Sequence, residues 1–426
     1  MSSLAFDSVP APVEEAVPAP DSATIRPVPR ISIQAFCEGH ELAETMEAAA
    51  ADRRMARAHV KVHMGGIAAA TEFYSAAPTP NLILVESRHS GEKLLGELER
   101  LAAVCDVGSK VVVVGQTNDV ELYRELSRRG VSEYLVNPVG VLHIIRAIVD
   151  LYTDPAADPL GRTIAFVGGK GGVGSSTVSH SVAFAIARNF ENDVVLADLD
   201  LAFGTAGLDF NQDPAQGIAE AIHAPERLDD IFLDRLLARC TDHLSLLAAP
   251  ATLDRTLDLG ETTFEPVIDI ARNSVPSLIL DLPHLWTGWV RRTLIAADEI
   301  VLTVEPDLAN LRNAKNLLDL LRQARQHDSP PKLVINKVGM PKRPEIKAEE
   351  FAKALEMEPT AIIPFEAHLF GTAANNGQVI AEVDPKSAVT EHFHKIAQSV
   401  SGKAEPRRSK RPALSSVLSR LRGKKT

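Results

Sequence analysis

Three cysteines in 426 residues, at positions 37, 105 and 240, are too few and too far apart for a disulfide framework or a zinc site. They fit reduced thiols in a cytoplasmic protein. No run of about 18 apolar residues occurs, so the chain offers no candidate transmembrane helix. The N-terminus lacks the basic-then-apolar layout of a secretory signal. Aromatic residues are scarce at 5%, and all four tyrosines (Tyr74, Tyr123, Tyr134, Tyr152) lie in the first part of the chain. The thirteen histidines follow no ligand spacing. His392 and His394, two apart near a helix end, are expected in solvent.

Positive charge is also short, but unevenly. The net charge is −11, yet residues 402–426 hold nine Lys/Arg against one acid, which leaves −19 on the rest. An acidic body of this kind argues against non-specific nucleic-acid binding, and no specific nucleic acid is expected as a partner.

What the chain does contain is organised in five stretches. Residues 1–28 are rich in Pro, Ala and Ser and are expected to be disordered. Residues 29–152 alternate buried-strand runs (Ile31–Ala35, Asn81–Glu86, Lys110–Gly115, Glu133–Val136) with helical ones (Glu41–Ala50, Glu92–Ala103, Val120–Arg129, Val141–Tyr152). This βα alternation predicts a small parallel sheet with helices on both faces. Residues 153–161, with Asp154-Pro-Ala-Ala-Asp-Pro-Leu-Gly161, read as a linker. Residues 162–400 carry seven more strand candidates, at Ile164–Val167, Val194–Ala197, Leu244–Ala248, Ser277–Leu280, Glu299–Val304, Lys332–Ile335 and Ala361–Ile363. The expected fold is α/β throughout, with the larger domain mainly parallel and doubly wound. Residues 401–426 form the basic tail.

The chemistry concentrates at residues 164–177, Ile-Ala-Phe-Val-Gly-Gly-Lys-Gly-Gly-Val-Gly-Ser-Ser-Thr. An apolar strand runs into five glycines, and a helix opens behind them. Glycines let backbone N–H groups approach phosphate oxygens, and the helix start adds partial positive charge. The usual loop ends Gly-Lys-[Ser/Thr]. Here Ser175 stands where that lysine belongs, and Lys170, at the front, is the only lysine of the loop.

A front lysine followed by Gly-Gly-x-Gly resembles the deviant Walker A loop of the MinD/ParA ATPases. The resemblance implies that Gly169, Lys170, Gly171, Gly172, Val173, Gly174, Ser175, Ser176 and Thr177 hold ATP. It implies that Lys170 reaches a partner's nucleotide across a homodimer, and that Ser176 ligates Mg²⁺. Ala197-Asp198-Leu-Asp200 resembles the family's first switch, with Asp200 positioning water and Asp198 close to Mg²⁺. Ser277-Leu-Ile-Leu-Asp281-Leu-Pro283 resembles Walker B, in which Asp281 reaches the metal through water. Asn336 matches the residue that pairs with the adenine edge, and Pro364 lies in the stretch that runs along the base. Trp286 and Trp289, three apart, have the spacing of core aromatics or of a partner contact.

Two further resemblances narrow the reading. Residues 29–152 resemble a response-regulator receiver domain, but Glu86 stands for the phosphoacceptor Asp, Phe36-Cys37 for the acidic pair, and Asn137 for the Lys before Pro138. A degenerate receiver for docking or dimerisation follows. The stretch from Ile363 to Lys386 resembles the C-terminal signature of the CpaE/TadZ pilus-assembly proteins. That resemblance implies a cytoplasmic ATP-binding protein that localises a Flp/Tad pilus secretion machine, often at a pole, and the missing second lysine predicts weak or absent hydrolysis. The alternative is an active MinD/ParA-type ATPase positioning a division site or replicon. A tyrosine kinase on the same loop would need a tyrosine-rich tail, and an iron–sulfur reductase would need paired cysteines after the loop. Neither is present. In the tail, Leu414, Val417, Leu418 and Leu421 form one apolar stripe flanked by Arg420, Arg422, Lys424 and Lys425. A basic amphipathic helix of this kind binds an anionic inner-membrane surface.

Overall fold

A computed structural model describes residues 20, 22, 25–154, 159–251, 253 and 258–401. The expected tail helix and most of the Pro/Ala-rich segment lie outside the described residues.

The chain divides into two compact units. The first is built on five parallel strands: β1 (Ser32–Cys37), β2 (His59–Met64), β3 (Leu82–Glu86), β4 (Lys110–Gly115) and β5 (Glu133–Val136). They stand in the order β2-β1-β3-β4-β5. Four apolar residues in a row in β3 and again in β4 explain why these strands are covered on both faces. Met46, Ile144 and Ile148 pack on one face, while Phe36, Leu94 and Leu126 pack on the other.

Sequence reading missed β2 and the helix Gly66–Tyr74 behind it. β2 is an edge strand with no fully buried residue, and its His59, Lys61 and His63 break the apolar signal. Order also begins earlier than residue 29. Ile25 and Val28 are buried in the first core, and the Val28 N–H donates to the Arg54 carbonyl at 2.8 Å. Ile25→Ala is therefore expected to lower stability by about 2 kcal/mol in denaturant unfolding, the low end for a buried large-to-small change. Gly161, placed in the linker by its sequence, packs into the second unit, where its N–H donates to the Arg272 carbonyl at 2.6 Å.

At the end of β3 the Glu86 carboxylate is 3% exposed. Its Oε2 accepts the backbone N–H groups of Glu38 at 2.7 Å and Gly39 at 2.8 Å, and its Oε1 accepts Asn137 Nδ2 at 3.1 Å. Two of the positions that depart from the receiver pattern, Glu86 and Asn137, thus bond each other.

The second unit is an eight-stranded sheet: β6 (Arg162–Gly168), β7 (Val194–Asp198), β8 (Ala238–Arg239), β9 (Leu244–Leu247), β10 (Ser277–Asp281), β11 (Glu299–Val304), β12 (Lys332–Val338) and β13 (Pro359–Pro364). Their order is β13-β12-β11-β6-β10-β7-β9-β8, with all pairings parallel except the short edge pair β8–β9. All seven strand candidates form; the two-residue β8 is too short to leave a pattern. Helices Ser175–Phe190 and Ala388–Ser401 cover one face through Val182, Phe393 and Ile396. Leu294, Leu318 and Leu321 cover the other. The chain runs from β6 to β7 and β9 on one side, then from β10 to β11, β12 and β13 on the other. Strand order therefore reverses beside β6, and the crevice at that reversal is where open α/β sheets bind ligands.

Candidate functional site

The glycine loop leaves β6 at that crevice. Gly172 and Gly174 both have positive φ, at 80° and 88°. Gly174 has a second reason to be glycine: a Cβ there would come within 2.6 Å of Asn336 Nδ2. The loop is pinned from several strands. The Gly169 N–H donates to the Thr303 carbonyl at 2.8 Å, and the Gly169 carbonyl accepts Asn313 Nδ2 at 2.9 Å. His284, following β10, donates Nδ1 to the Gly168 carbonyl at 3.0 Å. Val173 is buried as an apolar anchor. The helix begins at Ser175, so Ser176 and Thr177 lie in its first turn. Ser175 Oγ is buried without a partner among the described residues.

Lys170 sits on the exposed front of the loop, 52% accessible, with its Nζ 3.8 Å from Asp307 Oδ2. This places the ammonium on the outer side of the loop, paired with Asp307. Gly171 is exposed beside it.

Asp198 and Asp281 end the adjacent strands β7 and β10 in direct register. Both are buried. Asp198 accepts the N–H groups of Asp200 at 3.2 Å and Ala206 at 3.1 Å. Burial, and then the charge of Asp281, raises the Asp198 pKa to about 7. Asp200 lies on the turn beyond, where its Oδ1 accepts the Phe203 N–H at 3.1 Å.

Sequence reasoning missed His180. It stands in the middle of the loop's helix, fully buried, with Nδ1 2.7 Å from Asp209 Oδ2 and Nε2 3.2 Å from Asp281 Oδ2. Burial alone would push the imidazole down. The two carboxylates outweigh it and raise the pKa to about 10, so both nitrogens carry protons and donate. Three carboxylates thus share one internal cation. A polar residue inside an otherwise alanine-rich helix was the available signal.

Gly172, Gly174, Thr177, Asn336 and Pro364 line one cavity of about 350 Å³. Phe365, from the stretch expected to run along the base, also lines it, and Phe370 and Val379 add further apolar wall. Lys170 and Asp200 lie outside this lining. Asn336 is 3% exposed; its Nδ2 donates to the Val173 carbonyl at 2.8 Å and its Oδ1 accepts the Lys337 N–H at 2.9 Å. The side chain expected to read a base is therefore also a clamp on the loop. The two tryptophans split: Trp289 is core, packed against Phe264, while Trp286 is 57% exposed.

Among the described residues, no cluster of three or more His, Cys, Asp or Glu is arranged to hold a metal ion alone. That suits Mg²⁺, which takes one or two carboxylates and completes its shell with phosphate and water. Asp281 Oδ1, buried and without a partner, marks the side of the site with unmet capacity.

A model of the CobQ/CobB/MinD/ParA nucleotide binding domain matches residues 164–379. The septum site-determining protein MinD of Bacillus subtilis is 24% identical over 261 residues, covering 58% of this chain and 91% of that protein. Among solved structures, the ParA family ATPase from Chlorobium tepidum is 25% identical with a TM-score of 0.51, covering 55% of this chain and 98% of that one. The pilus assembly protein CpaE from Caulobacter crescentus is 56% identical with a TM-score of 0.30, covering 30% of this chain and 98% of that one. The domain match extends over half of the chain and contains the glycine loop, both buried aspartates and Asn336, so the chain belongs to the CobQ/CobB/MinD/ParA nucleotide binding domain family.

Proposed function

We propose that this protein binds ATP with Mg²⁺, pairs with a second copy across the nucleotide, and positions a Flp/Tad pilus secretion machine at the inner membrane. The observation that carries the nucleotide part is the convergence, at one sheet reversal, of a glycine loop, two buried carboxylates in register and an adjoining cavity. Gly171, Gly172, Gly174 and Thr177 present backbone N–H groups to phosphate, while Gly169 pins the loop to Thr303. Ser176, Asp198 and Asp281 hold Mg²⁺, which supplies charge neutralisation to the phosphate oxygens. The apolar wall from Pro364 to Val379 takes the base.

Two features bear on turnover. Ser175 offers no cation to the phosphates, so the loop itself lacks one charge that stabilises developing negative charge. Lys170 faces outward, where a partner's phosphates would meet it. Hydrolysis is therefore slow or absent while binding persists. The pilus assignment is supported by the resemblance of Ile363–Lys386 to the CpaE/TadZ signature and by the 56% identity to the Caulobacter protein over part of the chain. The degenerate receiver-like unit would dock machinery proteins, and the basic tail would add weak membrane affinity that a dimer strengthens far more than twofold through effective concentration. Among the described residues no helix is long and apolar enough to cross a membrane.

The test is sedimentation of the full chain with and without ATP and Mg²⁺, alongside equilibrium binding of labelled ATP. Wild type is expected to bind ATP and dimerise with it. Lys170→Ala is expected to bind ATP but remain monomeric. An absence of ATP binding by wild type would remove the proposal. Rapid turnover by wild type, lost in Lys170→Ala, would instead favour an active MinD/ParA-type cycle.

A further inference from the structure

Ser175 leaves the loop without the lysine that ordinarily reaches the phosphates. A different lysine stands against the same loop. Lys337, at the C-terminal end of β12, places its Nζ 2.5 Å from the Gly172 carbonyl and 2.9 Å from Glu305 Oε1. It lines the cavity together with Gly172, Gly174 and Thr177. Its backbone is left-handed, φ 55°, a conformation that costs a residue with a Cβ and persists where the surroundings impose it. Arg343 is the residue that imposes it: its Nη2 donates to the Lys337 carbonyl at 2.6 Å.

We propose that Lys337 supplies the cation Ser175 omits, binding the polyphosphate of a nucleoside triphosphate from the end of β12 rather than from within the loop. This rests on the nucleotide-binding reading above. Glu305 is the holding partner. Arg343 Nη1 also bonds Glu305, at 2.5 Å, so Lys337 can exchange Glu305 for phosphate without stranding a buried carboxylate. Lys170 does not compete for the role, because its ammonium pairs with Asp307 on the outer side of the loop. Lysine suits such an exchange, since it carries a compact charge on a flexible stem that can change partners.

The experiment compares ATP, ADP and AMP binding by fluorescence competition for wild type, Lys337→Ala, Lys337→Arg and the double variant Ser175→Lys/Lys337→Ala. Lys337→Ala is expected to weaken ATP about tenfold or more, the effect of losing one charge-assisted hydrogen bond, and to leave AMP within about twofold. Lys337→Arg should keep most of the affinity. Ser175→Lys should recover ATP binding in the Lys337→Ala background, because it returns the charge from the other side. ATP affinity unchanged in Lys337→Ala overturns the proposal. So does an equal loss for ATP and AMP, which would make Lys337 a prop for the loop and not a phosphate ligand. If wild type binds none of the three nucleotides, the nucleotide-binding reading fails first. Should Lys337→Ala not fold, by its circular dichroism melt, Lys337→Gln and Lys337→Arg carry the same comparison.

Discussion

His180→Ala unfolds about 3–5 kcal/mol more easily than wild type in nucleotide-free, chelated buffer, the cost of removing one partner from a buried ion pair. The imidazolium is the only group that bonds both Asp209 and Asp281 within the described residues. Its removal strands a fully buried carboxylate at the end of β10. Chemical denaturation measures the loss. A change below about 1 kcal/mol, the scale of an exposed pair, would mean that the carboxylates find other partners.

The same residue sets a pH dependence. The folded pKa of His180, about 10, lies above its unfolded value of about 6.5. Its contribution is complete below 6.5, falls as the unfolded chain gives up the proton, and is gone above about 10. Asp198 acts in the same direction at lower pH. Its folded value of about 7 lies above the usual carboxylate value, so stability is lost as pH rises from about 4 through 7. Metal-free protein is therefore expected to melt at progressively lower temperature from pH 4 to pH 10. His180→Ala should flatten the upper part of that profile and, by removing a cation that holds the Asp198 carboxyl down, extend the lower part toward higher pH. Mg²⁺ with ATP should flatten the lower part, since the metal's charge relieves Asp198.

Gly174→Ala is the second large effect. The substitution forces a left-handed backbone on alanine and drives its Cβ to 2.6 Å from Asn336 Nδ2. The strain, about 2–3 kcal/mol, is relieved by moving Asn336 off the Val173 carbonyl or by opening the loop. Either movement disturbs the phosphate cradle, and ATP affinity is expected to fall roughly a hundredfold. Isothermal titration with ATP and Mg²⁺ reads it. Gly96→Ala, mid-helix and with nothing within 4 Å of its Cβ, is the control expected to leave affinity unchanged and to raise stability by about 0.5–1 kcal/mol.

The legible parts of this chain were those whose cause is local. Four valines in a row make β4 wherever they are packed, and a glycine run between strand and helix announces its loop. β10 and β7 end in Asp because their C-terminal ends face the crevice, a pattern visible as an apolar run closed by an acid. What stayed hidden depends on distant neighbours. β2 pairs along a single side, so its polar residues face solvent and blur its period. His180 looks ordinary in sequence because Asp209 and Asp281 lie 29 and 101 positions away. Lys337 follows an asparagine that already had a role, and its approach to Gly172 depends on a left-handed backbone that no pattern encodes. Trp286 and Trp289 share a helical spacing, but Trp286 precedes the helix Gly288–Ala296, so only Trp289 turns inward.

The knot of bonds around Glu86 has a consequence for timing. A carboxylate already holding two backbone amides and an asparagine is poorly disposed to attack a phosphodonor. No covalent clock is then wound or reset at Glu86.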